Sequence, residues 1–327
     1  MQHKILFRAD AGPQAGLGHL QRCLSLGKAL EKRGAVCAFL SEPGPAAERI
    51  AGSGFSALPA GESERILRDG WSGVVIDSYR AGPDDFSALR GAGLFAIAID
   101  DQNRFPFPCQ MVINGGLRAR GLDYRSSSGD TLFLLGPEWA LLPTEFWDPA
   151  TREIPATVGN LLLTLGGSDG LGRMPGLIRQ LDEWTEEFTL TAVIGPFQGN
   201  GAQVRQAAEG SRRPVRLIEA PLSLHREMLQ ADLAVSTGGQ TLYQLAATGT
   251  PTAAFAAAEN QRANLRAFIE AGAVLDGPDA ARSLLNDRER RLRLSEAGSG
   301  LIDGRGAIRT AEAIIQALSG EPAPTVR

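Results

Sequence analysis

Leu94-Phe95-Ala96-Ile97-Ala98-Ile99-Asp100-Asp101 is a run of apolar residues stopped by two carboxylates. A strand with one wet face alternates apolar and polar side chains. A run without alternation, ending in Asp, is what a parallel strand covered on both faces requires. The habit recurs on either side, in Gly73-Val74-Val75-Ile76-Asp77 and Met111-Val112-Ile113-Asn114. It returns later at Leu161 to Leu165, Leu190 to Ile194, Val215 to Ile218, Leu233 to Ser236 and Thr252 to Phe255. Segments of helical period lie between, such as His19 to Lys32 and Gln240 to Thr248. Strand and helix in alternation predict an α/β, doubly wound architecture.

Two segments read as fresh starts. Lys4 to Phe7 runs into a glycine-containing loop and then a helix at His19. Leu161 to Leu165 runs into Gly166-Gly167-Ser168-Asp169 and another helical pattern. Between them, Leu141 to Pro155 holds prolines and no periodicity. The expected division is therefore a first Rossmann-like domain at 1–148, a linker at 149–155, a second Rossmann-like domain at 156–320 and a frayed tail at 321–327. The length agrees, since 327 residues make roughly two domains. Two such halves are expected to face each other across a cleft, with ligands outside the carboxyl ends of the strands.

Composition narrows the function. Lys+Arg number 33 against 37 Asp+Glu, a net charge of −4, without the basic footprint of a general nucleic-acid binder. Cys23, Cys37 and Cys109 are an odd set without a Cys-x-x-Cys pair, which speaks against a disulfide framework or thiolate zinc site. His3, His19 and His225 are scattered, so no protein-built metal site is expected, and no cofactor. The first residues lack a signal-peptide pattern, and no apolar stretch reaches the roughly 18 residues of a membrane span. The expectation is a cytoplasmic protein; its oligomeric state is open.

The candidates for chemistry sit where strands meet helices. In Gly12-Pro13-Gln14-Ala15-Gly16-Leu17-Gly18-His19, the histidine falls at the first helical turn. The unpaired N–H groups and partial positive charge there disfavour imidazolium and suit a base. A capping turn with a partly exposed histidine is the plainer alternative. Ala234-Val235-Ser236-Thr237-Gly238-Gly239-Gln240-Thr241 runs from strand through Gly-Gly into a helix, a cradle suited to a diphosphate or simply a tight turn. Neither loop has the dinucleotide or P-loop spacing. Gly166-Gly167-Ser168-Asp169 can approach an anion or form a turn. Glu259-Asn260-Gln261 offers amides to a base or sugar, or caps a helix. Asp77 and Asp100-Asp101 end strands, where aspartates either touch ligand or cap the next turn. His225 reads as a surface residue and His3 as structural.

Taken together, Phe7-Arg8-Ala9-Asp10, Gly16-Leu17-Gly18-His19 and Arg22-Cys23-Leu24 resemble the opening of the UDP-2,4-diacetamido-2,4,6-trideoxy-β-L-altropyranose hydrolases. These belong to the pseudaminic acid pathway, within a wider group that includes spore-coat polysaccharide proteins. The likeness continues through Ile99-Asp100-Asp101, Leu135 to Leu142, Gly166 to Asp169, Gly238 to Thr241, Glu259-Asn260-Gln261 and Asp303 to Ala307. The Gly-Gly-x-Thr segment is also shared with UDP-sugar glycosyltransferases of the GT-B fold. The resemblance implies a UDP-sugar hydrolase in which His19 activates water at the anomeric carbon, UDP leaves and the configuration inverts, without metal. It further implies substrate contacts from Arg8, Asp10, Gly16, Gly18, Arg22, Asp77, Tyr79, Gly166, Gly167, Ser168, Gly238, Gly239, Gln240, Thr241, Gln244, Asn260 and Gln261. Two positions depart from many relatives: Gln244 stands for glutamate, and Ser78-Tyr79 for His-Tyr after Asp77. The other readings carried forward are a GT-B glycosyltransferase and a non-catalytic nucleotide-sugar-binding protein.

Overall fold

A computed structural model describes residues 2–12, 17–59, 70–148 and 151–321. The chain divides into two units, each with its own parallel sheet. The first comprises the residues to Trp147 together with those from Gly304 onward; the second is Asp148–Asp303.

In the first unit the strands are β1 (Lys4–Ala9), β2 (Val36–Leu40), β3 (Ser56–Leu58), β4 (Gly73–Asp77), β5 (Phe95–Ile99), β6 (Met111–Asn114) and β7 (Leu132–Leu135). They lie in the order β3-β2-β1-β4-β5-β6-β7, and every pairing is parallel. β1 is central, with Phe7 opposite Phe39 on one side and Val75 on the other. Alternate side chains of β1 enter different cores. Ile5 and Phe7 pack with Leu20, Leu24 and Leu30, whereas Leu6 packs with Val74, Ile76 and Phe86. Burial on both faces is the reason the runs carry no polar alternation. Among the described residues up to Trp147, the α-helices of this unit are α1 (Gly18–Glu31), α2 (Pro45–Gly52) and α3 (Pro83–Gly91).

The second unit holds β8 (Asn160–Thr164), β9 (Thr189–Ile194), β10 (Val215–Glu219), β11 (Leu233–Thr237), β12 (Thr252–Phe255) and β13 (Leu275–Asp276). Their order is β10-β9-β8-β11-β12-β13, again all parallel. Its helices are α4 (Met174–Asp182), α5 (Gly201–Glu209), α6 (His225–Gln230), α7 (Thr241–Ala247), α8 (Glu259–Glu270), α9 (Ala280–Leu284) and α10 (Arg288–Leu301). In each sheet the strand order reverses once, between β1 and β4 and between β8 and β11. Those reversals leave crevices at the strands' carboxyl ends, where α/β sheets bind ligands.

Two features differ from the expected division. The last helix, α11 (Gly306–Leu318), was expected in a second domain ending at 320 but packs into the first unit. Ala307, Ala311 and Ile314 join the core beneath α1, and the Arg309 guanidinium donates to the Glu138 carbonyl at 3.0 Å. Gly304 makes the crossing possible: its φ is +77°, and a Cβ there would stand 1.8 Å from the Phe146 carbonyl oxygen. The expected linker is likewise no free tether past its undescribed residues 149 and 150. Arg152 donates to the carbonyls of Thr248 at 2.9 Å, Ala231 at 2.5 Å and Met228. The buried Arg291 donates to those of Pro155 at 2.6 Å and Ala156 at 2.8 Å. Burial among carbonyls pushes the Arg152 guanidinium down to about 10. Residues 152–156 thus belong to the second unit. The expected tail beyond Glu321 lies outside the described residues.

Candidate functional site

The carboxyl ends of β1, β4 and β5 gather the charged residues of the first unit. His19 stands in the first turn of α1 and is 5% exposed; Asp77, the last residue of β4, is 1% exposed. His19 Nδ1 lies 2.5 Å from Asp77 Oδ1. A carboxylate can only accept, so Nδ1 carries a hydrogen, and in the neutral ring the lone pair is on Nε2. Arg22, one turn on along the same helix face, donates to the same carboxylate through Nε at 3.0 Å and Nη2 at 2.9 Å. Its Nη1 donates to Asp101 Oδ2 at 3.0 Å, just past the end of β5. Tyr79 closes the circuit. Its hydroxyl donates to Asp101 Oδ1 at 2.9 Å, and its ring meets the His19 ring edge-on with centroids 4.5 Å apart.

The loop carrying Tyr79 is held from both sides. Asp10 accepts from Ser78 Oγ at 2.9 Å, from the Tyr79 N–H at 3.2 Å and from Arg80 at 2.8 Å. Arg104 donates to Asp100 at 3.1 Å and to the carbonyls of Ser78, Tyr79 and Ala81 at 3.1, 2.7 and 3.0 Å. Charge follows this geometry. Burial pushes the Arg22 guanidinium down, but Asp77 and Asp101 outweigh it and hold it well above its ordinary value. Burial pushes the Asp101 carboxyl up, and the Arg22 charge outweighs that and holds it below its ordinary value. Burial, then the Asp101 charge, raises the Tyr79 phenol. Asp10 is likewise held low by Arg80 and Ser78 against its burial. The arrangement presents a buried imidazole with a fixed tautomer, which is what a general base needs.

Of the sequence candidates here, His19, Arg22, Asp77 and Tyr79 are brought together and Asp10 is joined to them through Ser78 and Tyr79. Gly18 opens α1. Arg8 is turned to Asp85 at 3.0 Å. Gly16 lies outside the described residues. The sequence reading left out Arg104, whose one local signal is its position four residues past Asp100. His225 begins α6, its N–H donating to Ser223 Oγ at 3.2 Å.

In the second unit the loops after β8, β9, β11 and β12 converge. Gly166 has φ +83°, and a Cβ there would lie 3.6 Å from Thr241 Oγ1, so these two candidates are neighbours. Gly195, ending the β9 segment, has no room for a side chain: a Cβ would stand 2.5 Å from the Gly166 carbonyl oxygen. The Gly238 N–H donates to the Phe255 carbonyl at 3.0 Å, and its own carbonyl accepts from Asn264 Nδ2 at 2.8 Å. Asn264 Oδ1 in turn accepts from the Tyr243 hydroxyl at 2.6 Å. Gln261 Oε1 accepts from the Ala257 N–H at 2.9 Å, while its Nε2 comes near Gly239. Gln240 precedes α7, Gln244 is half-buried within it, Ser168 is half-buried beside Gly167, and Asn260 is exposed on the first turn of α8. Asp169 caps α4 through the Arg173 and Met174 N–H groups at 2.9 and 2.8 Å. Glycine backbone, hydroxyls and amides make this a surface suited to a polar ligand approaching the main chain closely. Among the described residues no group of three or more His, Cys, Asp or Glu is placed to hold a metal ion, and no helix is long and apolar enough to cross a membrane.

No known family's sequence model matches the chain. The chain is similar to the spore coat polysaccharide biosynthesis protein SpsG of Bacillus subtilis, 29% identical over 206 residues, covering 58% of this chain and 60% of that protein. It is 25% identical over 174 residues to the UDP-2,4-diacetamido-2,4,6-trideoxy-beta-L-altropyranose hydrolase of Campylobacter jejuni, covering 51% and 61%. The chain thus spans about three fifths of the length of these two relatives. A UDP-N-acetylglucosamine–N-acetylmuramyl-(pentapeptide) pyrophosphoryl-undecaprenol N-acetylglucosamine transferase of Gloeobacter violaceus is 27% identical over 302 residues, covering 84% and 81%. Among solved structures, Acinetobacter baumannii MurG superposes with a TM-score of 0.68 at 13% identity, covering 97% of this chain and all of that one. The UDP co-structure of Staphylococcus aureus MnaA gives 0.64 at 13% identity, covering 99% and 100%. The likeness to these structures establishes the fold, two Rossmann-like units of the GT-B glycosyltransferase kind.

Proposed function

We propose that this protein is a nucleotide-sugar hydrolase that releases UDP from a UDP-linked diacetamido-trideoxy sugar. The observation that carries the reading is the buried His19–Asp77 pair, 2.5 Å apart at the strand reversal of the first sheet. Asp77 orients the imidazole, and Nε2 takes a proton from water as the water oxygen bonds to the anomeric carbon. The bond from that carbon to the diphosphate oxygen breaks, and its electron pair leaves with UDP. Attack opposite the leaving group inverts the configuration. The imidazolium then returns its proton to solvent. The second unit supplies the nucleotide loops, Gly166-Gly167-Ser168 and Gly238 to Thr241, with Gln244, Asn260 and Gln261 as the amides for ribose, base or sugar. The Campylobacter relative, a hydrolase by name, and the UDP held by the Staphylococcus structure support this reading.

The test mixes purified protein with UDP-2,4-diacetamido-2,4,6-trideoxy-β-L-altrose, with and without EDTA, and follows UDP and free sugar by NMR. The expected result is stoichiometric UDP and inverted free sugar without any acceptor. His19→Asn is expected to lower kcat by about 10²–10⁴, the usual contribution of a positioned base. Full UDP release by that variant removes the assignment. A second reading has support of its own, since the Gloeobacter transferase aligns over 84% of the chain. In a UDP-sugar glycosyltransferase the same imidazole deprotonates an acceptor hydroxyl, and UDP release then depends on adding that acceptor.

A further inference from the structure

All three guanidinium nitrogens of Arg22 are committed to carboxylates, Nε and Nη2 to Asp77 and Nη1 to Asp101. These bonds take three of its five N–H donors, and the side chain is only 15% exposed. Arg22 Nη2 also lies 3.0 Å from His19 Nδ1, so its charge stands directly against the ring. We propose that Arg22 is a positioning residue, which aims Asp77 at His19 and balances the surrounding carboxylates so that Nε2 is free of a proton when a reaction begins. The inference rests on reading His19 as the base.

The groups around the imidazole come from several elements. α1 brings Arg22, β4 brings Asp77, the loop after β4 brings Tyr79, and Asp101 follows β5. Asp10, past the end of β1, holds the Tyr79 N–H and is paired with Arg80. Three carboxylates therefore stand against two guanidiniums, a local balance of −1 with the imidazole neutral and Tyr79 protonated. Removing Arg22 makes it −2 and favours imidazolium, the form unable to accept a proton. It also frees Asp77 to turn, because the bidentate fork is what fixes its plane.

The chain has three histidines, so the imidazole signals of His19 can be followed through a pH titration by NMR without substrate. In Arg22→Gln the His19 midpoint is expected to rise by about one pH unit, the scale of one lost charge at this distance. The acidic limb of kcat/KM should move with it. In the double variant Arg22→Gln/Asp101→Asn the balance returns to −1, and the midpoint should return toward that of the parent. Arg22→Lys keeps the charge but loses the fork, so the midpoint should hold while kcat falls. A midpoint unmoved in Arg22→Gln, with a raised KM for the UDP-sugar, makes Arg22 a substrate contact and overturns the proposal. Should Arg22→Gln fail to fold, Asp101→Asn alone must lower the midpoint, and a midpoint that stays put is equally fatal. A shifted midpoint in a protein that releases UDP from nothing leaves the charge balance standing and removes the hydrolase reading. UDP release with an unmoved midpoint does the reverse.

Discussion

Both sheets reverse their strand order once, and the loops at the two reversals differ in chemistry. At β1/β4 the chain gathers His19, Asp77, Arg22, Asp101 and Tyr79, joined side chain to side chain. At β8/β11 it gathers Gly166, Gly167, Gly238 and Gly239 with Thr241, Gln261 and Asn264, joined largely through backbone. One geometry fixes a proton's location, and the other clears main chain for close approach. Division of labour on one strand order is what the GT-B fold allows, since each crevice is furnished by loops alone.

The sharpest way to break this comparison is at Asp77. Asp77→Asn keeps the size but removes the charge and replaces one of two accepting oxygens with a donor, so His19 and Arg22 compete for the one that remains. The expected loss in kcat is about 10²–10⁴, as for other orienting partners of a catalytic histidine. UDP affinity, measured calorimetrically, should change little. A large loss of UDP affinity would mean that the two reversals do not divide base from nucleotide.

The counterpart at the other reversal is Gly238→Val. A Cβ at 238 would come 3.0 Å from both the Gln261 carbonyl oxygen and Leu265 Cβ, and the two further methyl groups must displace α8 or the loop. Overpacking of this kind costs about 1–3 kcal/mol. Where the loop holds nucleotide, that corresponds to a roughly ten- to hundredfold weaker UDP complex. The His19 titration should be untouched, and an altered one would argue against independent sites.

The same contrast explains what could be seen beforehand. The strands were legible because burial on both faces removes polar residues from the run, a local property. His19 stood out because a glycine-rich loop and helix start announce themselves within a few residues. Asp77 was ambiguous, since an aspartate capping a turn and one orienting a base look alike in sequence. Only the fold supplies the partner, 58 residues away. Arg22 reaches Asp101 across 79 positions, and no periodicity encodes such a pair. In the second unit the amides at 260 and 261 drew notice, but Asn264, one helical turn on, holds the Gly238 carbonyl. Helix α11 shows a further limit. Its apolar stripe requires a sheet to pack on but does not say which one, and the turn at Gly304 decides.

A smaller effect compares the units' response to acid. In the first unit, Asp10 and Asp101 are held below the ordinary value of 3.8 by Arg80 and Arg22, against their burial. A carboxyl depressed on folding contributes stability that is complete above its unfolded value and is lost as pH falls through the folded one. The first unit should therefore weaken as the pH drops below about 4. All three cysteines lie buried in that unit, so their labelling reports its opening alone. Burial raises all three thiols, Cys37 and Cys109 to about 12, so none reacts while the unit is closed. With a reagent active in acid, such as 4,4′-dithiodipyridine, labelling should accelerate as the pH falls below 4. Asp101→Asn, which lacks one of the titrating groups, should show a shallower dependence. In the second unit Asp182 is held at about 2 by Ser211 and the Arg212–Arg213 segment against its slight burial. That carboxylate ends α4, the helix that follows the β8 loop. Equal pH slopes in the parent and in Asp101→Asn would mean that the Arg22–Asp101 pair adds nothing to folding, leaving its role confined to His19.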